Sequence, residues 1–169
     1  MKELLLGCGS RTRKDLSIDG SHEFKNVVRL DENPSHNPDV IWDLNVHLFP
    51  FSDNTFDAIH AYDVLEHLAS QGDYRFFFSE FSEYARILKP KGLFFASVPS
   101  VNSPWLWGDP SHKRVIHPNN LVFLQQGAYG EQVGNTQMSD FRQIYKADFN
   151  VMYKNETKDK FYFILEVQK

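Results

Sequence analysis

The chain has 169 residues, 41% of them hydrophobic and 24% charged, which suits one globular domain with a sizeable buried core. A net charge of -4 argues against nucleic-acid binding through bulk electrostatics, and the single cysteine excludes an internal disulfide. Neither a signal peptide nor a membrane-length apolar stretch is visible, so the expected location is cytoplasmic.

The first element is the apolar run Glu3-Leu4-Leu5-Leu6, which ends in Gly7-Cys8-Gly9. Short β-rich runs bounded by turn residues follow at 26–34, 39–45, 56–63 and 92–100. Between the last two, Phe77, Phe81, Tyr84, Ala85 and Leu88 recur at helical spacing, with Ser79, Ser82, Glu83 and Arg86 on the opposite side. Asp73 suits the N-cap of this helix, and Lys89-Pro90-Lys91-Gly92 stops it. At the end of the chain, alternation places Phe161, Phe163, Leu165 and Val167 on one side of an antiparallel hairpin at the sheet edge. Strands separated by helical or crossing segments predict an α/β domain with a mostly parallel sheet.

In such sheets ligands sit beyond the carboxyl ends of the strands. Gly7 and Gly9 allow close backbone approach, and Asp31 stands 22 residues after Gly9, the spacing of a carboxylate that binds ribose hydroxyls. A dinucleotide fingerprint needs a third glycine where Thr12 stands, and no helical period follows Gly9 to receive a pyrophosphate. A nucleoside-like ligand without phosphates therefore fits better than a nicotinamide dinucleotide.

The stretches LLLGCGS, VVRLDENP, WDLN, FPFSDNTFDAIHAYDVLEHL and ARILKPKGLFFASVPS carry a resemblance over residues 3 to about 100. In their order and spacing they resemble the Rossmann-like S-adenosylmethionine-dependent methyltransferases of type 11. The resemblance implies a Rossmann-like sheet, mostly parallel with a C-terminal antiparallel hairpin, and S-adenosylmethionine as cofactor. Gly7 and Gly9 would pass under its methionine and ribose portions, with Cys8 packed in the turn between them. Asp31, with Glu32 beside it, would accept from the ribose hydroxyls, and Asp43 would meet the adenine amino group near the Leu44 backbone. Tyr62 and Asp63 would border the methionine end. The implied activity is methyl transfer to an O or N atom of a small molecule, or to an end group of a larger one. The alternative is a catalytically silent methyltransferase-like domain that binds cofactor or a partner. Leu5 replaces the acidic residue common before the first glycine, and Arg11 takes the place of a third glycine, where it could reach the methionine carboxylate.

Residues 101–140 form the expected substrate-side insertion. Trp105 and Trp107 could wall an apolar slot there, with Asp109 and His112 as an oriented base. The histidines lack paired zinc spacing, so no metal is expected, and Glu66-His67 suits solvent or capping roles. Neither 10–26 nor 32–38 has helical period, which predicts helices reduced on one face of the sheet. Glu3, Arg29 and His60 interrupt the strands and should all point to that thin face, which loops, a homodimer or a partner chain must cover.

Overall fold

The structure, a computed structural model, describes residues 1–169. Its strands are β1 (Glu3–Leu6), β2 (Val27–Asp31), β3 (Val40–Ile41), β4 (Phe56–Tyr62), β5 (Leu88–Pro99), β6 (Phe149–Glu156) and β7 (Lys160–Val167). They form one seven-stranded sheet in the order β3-β2-β1-β4-β5-β7-β6. The first five strands are parallel to one another, and β7 runs antiparallel to both β5 and β6. This is the mixed Rossmann-like sheet the sequence predicts. The chain crosses in opposite directions from β1, toward β2 on one side and β4 on the other, which opens a crevice at their carboxyl ends.

Successive side chains of a strand face opposite sides, so Leu4 and Leu6 enter the large core while Leu5 enters a smaller one behind the sheet. The large core is covered by helix α1 (Tyr74–Ile87), whose N-cap Asp73 accepts from the Phe76 N–H at 3.0 Å. Phe81 and Tyr84 are fully buried there, and burying a ring of that size contributes about 1.5–3 kcal/mol. The expected polar side of α1 needs correction: Glu83 is buried, while Phe77 is only partly so. The Glu83 carboxylate accepts from the Phe49 N–H and from Arg86, both at 2.6 Å, which offsets its loss of water. Glu80 is buried as well, against Arg114. At its C-terminus the helix passes directly into β5, with the Leu88 N–H donating to the Tyr84 carbonyl. All four alternating residues of the last strand, Phe161 to Val167, are buried as expected.

The opposite face has no helix in 10–26 or 32–38, apart from a single 3-10 turn at Pro34–His36. Leu5 lies between Arg29 and His60 in register, so these two and Glu3, two residues earlier, share this face as predicted. Of the covers expected for it, the structure shows a loop: residues 10–26 fold over the face, with Leu16 and Phe24 packed on the small core. Lys14 donates to the Glu3 carboxylate at 2.5 Å, and His60 lies 3.6 Å from it. Burial opposes charge on Glu3, but His60 and Lys14 overcome it and hold its carboxyl at about 2. The 101–140 region carries helix α2 (Trp105–Gly108), a 3-10 segment (Pro118–Leu124) and helix α3 (Gln126–Gln132). No helix is long and apolar enough to cross a membrane.

Candidate functional site

The turn after β1 sits at the crevice. Gly7 adopts φ +53°, a conformation that disfavours any side chain, and a Cβ there would also collide with Val64. Gly9 is similarly left-handed at φ +47°, but its Cβ direction is open. The Gly9 N–H donates to Asp31 Oδ2 at 2.8 Å, and the Cys8 N–H donates to the Leu30 carbonyl at 3.0 Å. These two amides are therefore occupied within the protein and do not point at a ligand. Asp31 also accepts from the Asn33 N–H at 2.9 Å and lies 3.1 Å from His36 Nδ1. Burial works against its charge, but these donors prevail and hold the carboxyl below its ordinary range.

Two cavities meet at Gly7. One, of about 420 Å³, is bordered by Gly7, Asp31, Glu32, Asp43 and Leu44, with His67 and Ser111 on the far wall. The other, of about 490 Å³, is bordered by Gly7, Cys8, Gly9, Arg11, Tyr62 and Asp63. Every cofactor residue expected from the sequence thus lines one cavity or the other. Asp43 Oδ1 accepts from the Asn45 backbone and side chain, which lowers its pKa, and leaves Oδ2 open. Cys8 is fully buried, and burial pushes its thiol up, which keeps it unreactive. The Tyr62 hydroxyl turns away, into the thin face, where it bonds His60 Nδ1 at 2.8 Å and Leu16. Arg11 lies over the Tyr62 ring at 5.0 Å and pairs with Asp15 and Asp63. Lys160, at the start of β7, pairs with Asp63 too.

The acceptor side differs from expectation in three respects. Trp105 and Trp107 wall nothing: each is 67% exposed and borders neither cavity. Asp109 does not orient His112, since its Oδ1 accepts from the Ser111 N–H and hydroxyl and its Oδ2 stands 3.8 Å from the imidazole. The Leu106 carbonyl, 3.1 Å from His112 Nδ1, fixes the ring instead. Glu66 is neither solvated nor a cap, being only 1% exposed with no cap hydrogen bond. It faces His112 Nε2 at 4.0 Å, and burial, with Asp63 adding to it, pushes its carboxyl up to about 8. Burial also lowers His67, and the nearby His112 adds to that. Sequence reasoning missed this cluster. Its one local signal is a glutamate within the apolar run Val64, Leu65 and Leu68.

A sheet of this order, with a glycine turn after β1 bonded to an acid at the end of β2, defines the Rossmann-like class of nucleoside-cofactor proteins. The methyltransferase domain family of type 11 matches residues 4–96, and the chain belongs to that family, whose cofactor is S-adenosylmethionine. No curated protein sequence matches the chain. Among solved structures, an S-adenosylmethionine-dependent methyltransferase from Archaeoglobus fulgidus is 15% identical, with 98% of this chain and 86% of that one covered and a TM-score of 0.60. A complex of the Haloferax volcanii Trm112 methyltransferase activator with a methyltransferase is 15% identical, covering 99% and 82% with a TM-score of 0.61. The N-methyltransferase NodS from Bradyrhizobium japonicum, in complex with S-adenosylhomocysteine, is 11% identical, covering 99% and 78% with a TM-score of 0.57. At these identities the likeness is one of fold.

Proposed function

We propose that the chain binds S-adenosylmethionine across the two cavities and transfers its methyl group to an O or N atom of a small molecule, or to an end group of a larger one. The observation that carries this reading is the 2.8 Å bond from Gly9 to Asp31, which ties the glycine turn of the second cavity to an acid on the wall of the first. The adenosine lies on the Asp31 side, with its ribose hydroxyls donating to that carboxylate and its adenine amino group donating to Asp43 Oδ2. The methionine end lies on the Gly9 side, where Arg11 meets its carboxylate and Asp63 its ammonium. Bound there, the cofactor supplies a sulfonium methyl group that is reactive without further activation. What remains for the protein is to align an acceptor lone pair with that methyl and to exclude water. The acceptor enters beside His67, on the wall of the first cavity, with Glu66 and His112 close to that histidine. A hydroxyl acceptor needs a base, and the His112 imidazole, with Nδ1 held by Leu106, offers Nε2 to take the proton.

Calorimetry with S-adenosylmethionine and S-adenosylhomocysteine, followed by a labelled-methyl screen across metabolite classes, tests this reading. Binding of both ligands and transfer to at least one acceptor class are expected. Absence of cofactor binding refutes the reading, and binding without transfer to any class identifies a silent cofactor-binding domain.

A further inference from the structure

The cofactor cavities leave the buried Glu66 carboxylate without a role. Its Oε2 has no hydrogen-bond partner, and its Oε1 faces His112 Nε2 across 4.0 Å, beyond hydrogen-bonding distance. His112 Nδ1–H donates to the Leu106 carbonyl, so the Nε2 lone pair is directed at the same space. His67 completes the group: one ligand atom from each of the three residues lies within 4.8 Å of the others. The His67 ring is tied through Nδ1 to the Ser111 hydroxyl at 3.1 Å, and that hydroxyl donates to Asp109 at 2.6 Å. Metal-binding histidines are steadied in this way, by a carbonyl or a carboxylate chain on the imidazole.

We propose that Glu66, His67 and His112 bind a divalent transition-metal ion, with an open coordination position toward the cavity that His67 and Ser111 line. Two imidazoles and one carboxylate suit Zn2+, Co2+ or Fe2+ and not Mg2+ or Ca2+, which require mainly oxygen donors. Metal–ligand bonds of about 2.0–2.2 Å place ligand atoms roughly 3.3–3.5 Å apart around a tetrahedral ion. Binding therefore draws the widest pair inward by roughly 1.3–1.5 Å. The ion also narrows the substrate class, an extension that rests on the methyl-transfer reading. With His112 Nε2 on the ion and no longer free to act as the base, a hydroxyl oxygen of the acceptor takes the open position and releases its proton to solvent. Its electron pair then forms the C–O bond as the C–S bond of the sulfonium breaks, leaving a neutral thioether.

The test titrates chelator-stripped protein with Co2+, without S-adenosylmethionine, and reads the visible ligand-field bands. One equivalent should bind with a Kd on the order of 1 μM or tighter, and Zn2+ should displace it. Glu66→Gln, which preserves shape, and His112→Ala should each weaken binding at least roughly 100-fold, whereas His117→Ala, at the exposed cap of the Pro118–Leu124 segment, should not. Acetohydroxamate, an oxygen ligand, should shift the bands by entering the open position. Absence of Co2+ binding by the wild-type protein overturns the site, as does equal affinity in wild type and His112→Ala. An unshifted spectrum with acetohydroxamate overturns the open position. Cofactor binding is read separately by calorimetry, so failure of the metal site and failure of the methyl-transfer reading are distinguishable.

Discussion

Replacing Glu80 by alanine strands a buried cation. The Glu80 carboxylate is fully buried and accepts from Arg114 Nη2 through both oxygens, at 2.9 and 2.7 Å, and from the Tyr84 hydroxyl at 2.9 Å. The Arg114 side chain is 5% exposed, so the guanidinium cannot recover water without reorganising its surroundings. Removing one partner of such a pair costs about 3–5 kcal/mol, chiefly because the remaining charge is unpaired. For a domain of this size each kcal/mol moves the melting temperature by about 2–4 °C, giving a fall of roughly 6–20 °C. Glu80→Met combined with Arg114→Met removes both charges and should recover at least about half of that loss. Equilibrium urea unfolding followed by circular dichroism, run on Glu80→Met, Arg114→Met and the double variant, supplies the cycle. A Glu80→Ala protein within about 1 kcal/mol of wild type, or a double variant less stable than either single, refutes the argument. The pair also bears on the site. Arg114 Nε donates to the Leu65 carbonyl at 2.7 Å, and the Lys113 N–H donates to the Glu66 carbonyl at 2.8 Å, so this clasp sets Glu66 against His112.

Asp31→Ala should weaken S-adenosylmethionine binding by about 1.5–3 kcal/mol, the worth of hydrogen bonds to a charged group, and calorimetric affinity equal to wild type would remove Asp31 from the ribose site. Asp43→Asn should retain most cofactor affinity, since its amide oxygen can still accept, whereas Asp43→Ala should not; equal Kd values in the two variants would show that Asp43 does not meet the adenine. Gly7→Ala should destabilise the fold more than Gly9→Ala, because both incur a left-handed cost of about 1–2 kcal/mol but only Gly7 meets the Val64 side chain; equal denaturation midpoints would refute this. Glu3 has its folded pKa at about 2, below its ordinary 4.5, so its contribution to stability is complete above pH 4.5 and is lost as pH falls toward 2. Glu3→Gln should therefore flatten the stability curve across that interval, and an unchanged acid slope in urea unfolding would count against the Lys14 and His60 pairing.

The strands and the glycine turn at the crevice were legible in the sequence because their signals are local. A parallel strand buried on both faces reads as an apolar run, and Leu4, Leu5 and Leu6 are all fully buried. The spacing from Gly9 to Asp31 likewise survives as a direct hydrogen bond. What failed were polar residues whose partners lie far along the chain. Helical periodicity assigns Glu83 to water, yet the Phe49 N–H, 34 residues away, makes its burial tolerable. Glu80 depends in the same way on Arg114, and Glu66 faces a histidine that no spacing rule connects to it. Trp105 and Trp107 failed in the opposite sense. They are large apolar side chains on a four-residue helix that buries only Leu106, so their hydrophobicity carries no information about where they point.

The thin face shows how the glycine turn is held without the usual helix behind it. A helix starting after Gly9 would satisfy the turn's carbonyls through its own ladder and present free amides to a ligand. Here Arg29 satisfies the carbonyls, its guanidinium donating to the Gly9 carbonyl at 3.0 Å and the Arg11 carbonyl at 2.8 Å. The Gly9 amide is in turn committed to Asp31. The arginine that interrupts β2 in the sequence is therefore what anchors the loop, and Lys14 carries the same loop back to Glu3. On the proposed reading, with the Cys8 and Gly9 amides engaged, recognition at this edge falls to charged side chains that border the two cavities, Asp31, Asp43, Arg11 and Asp63 among them.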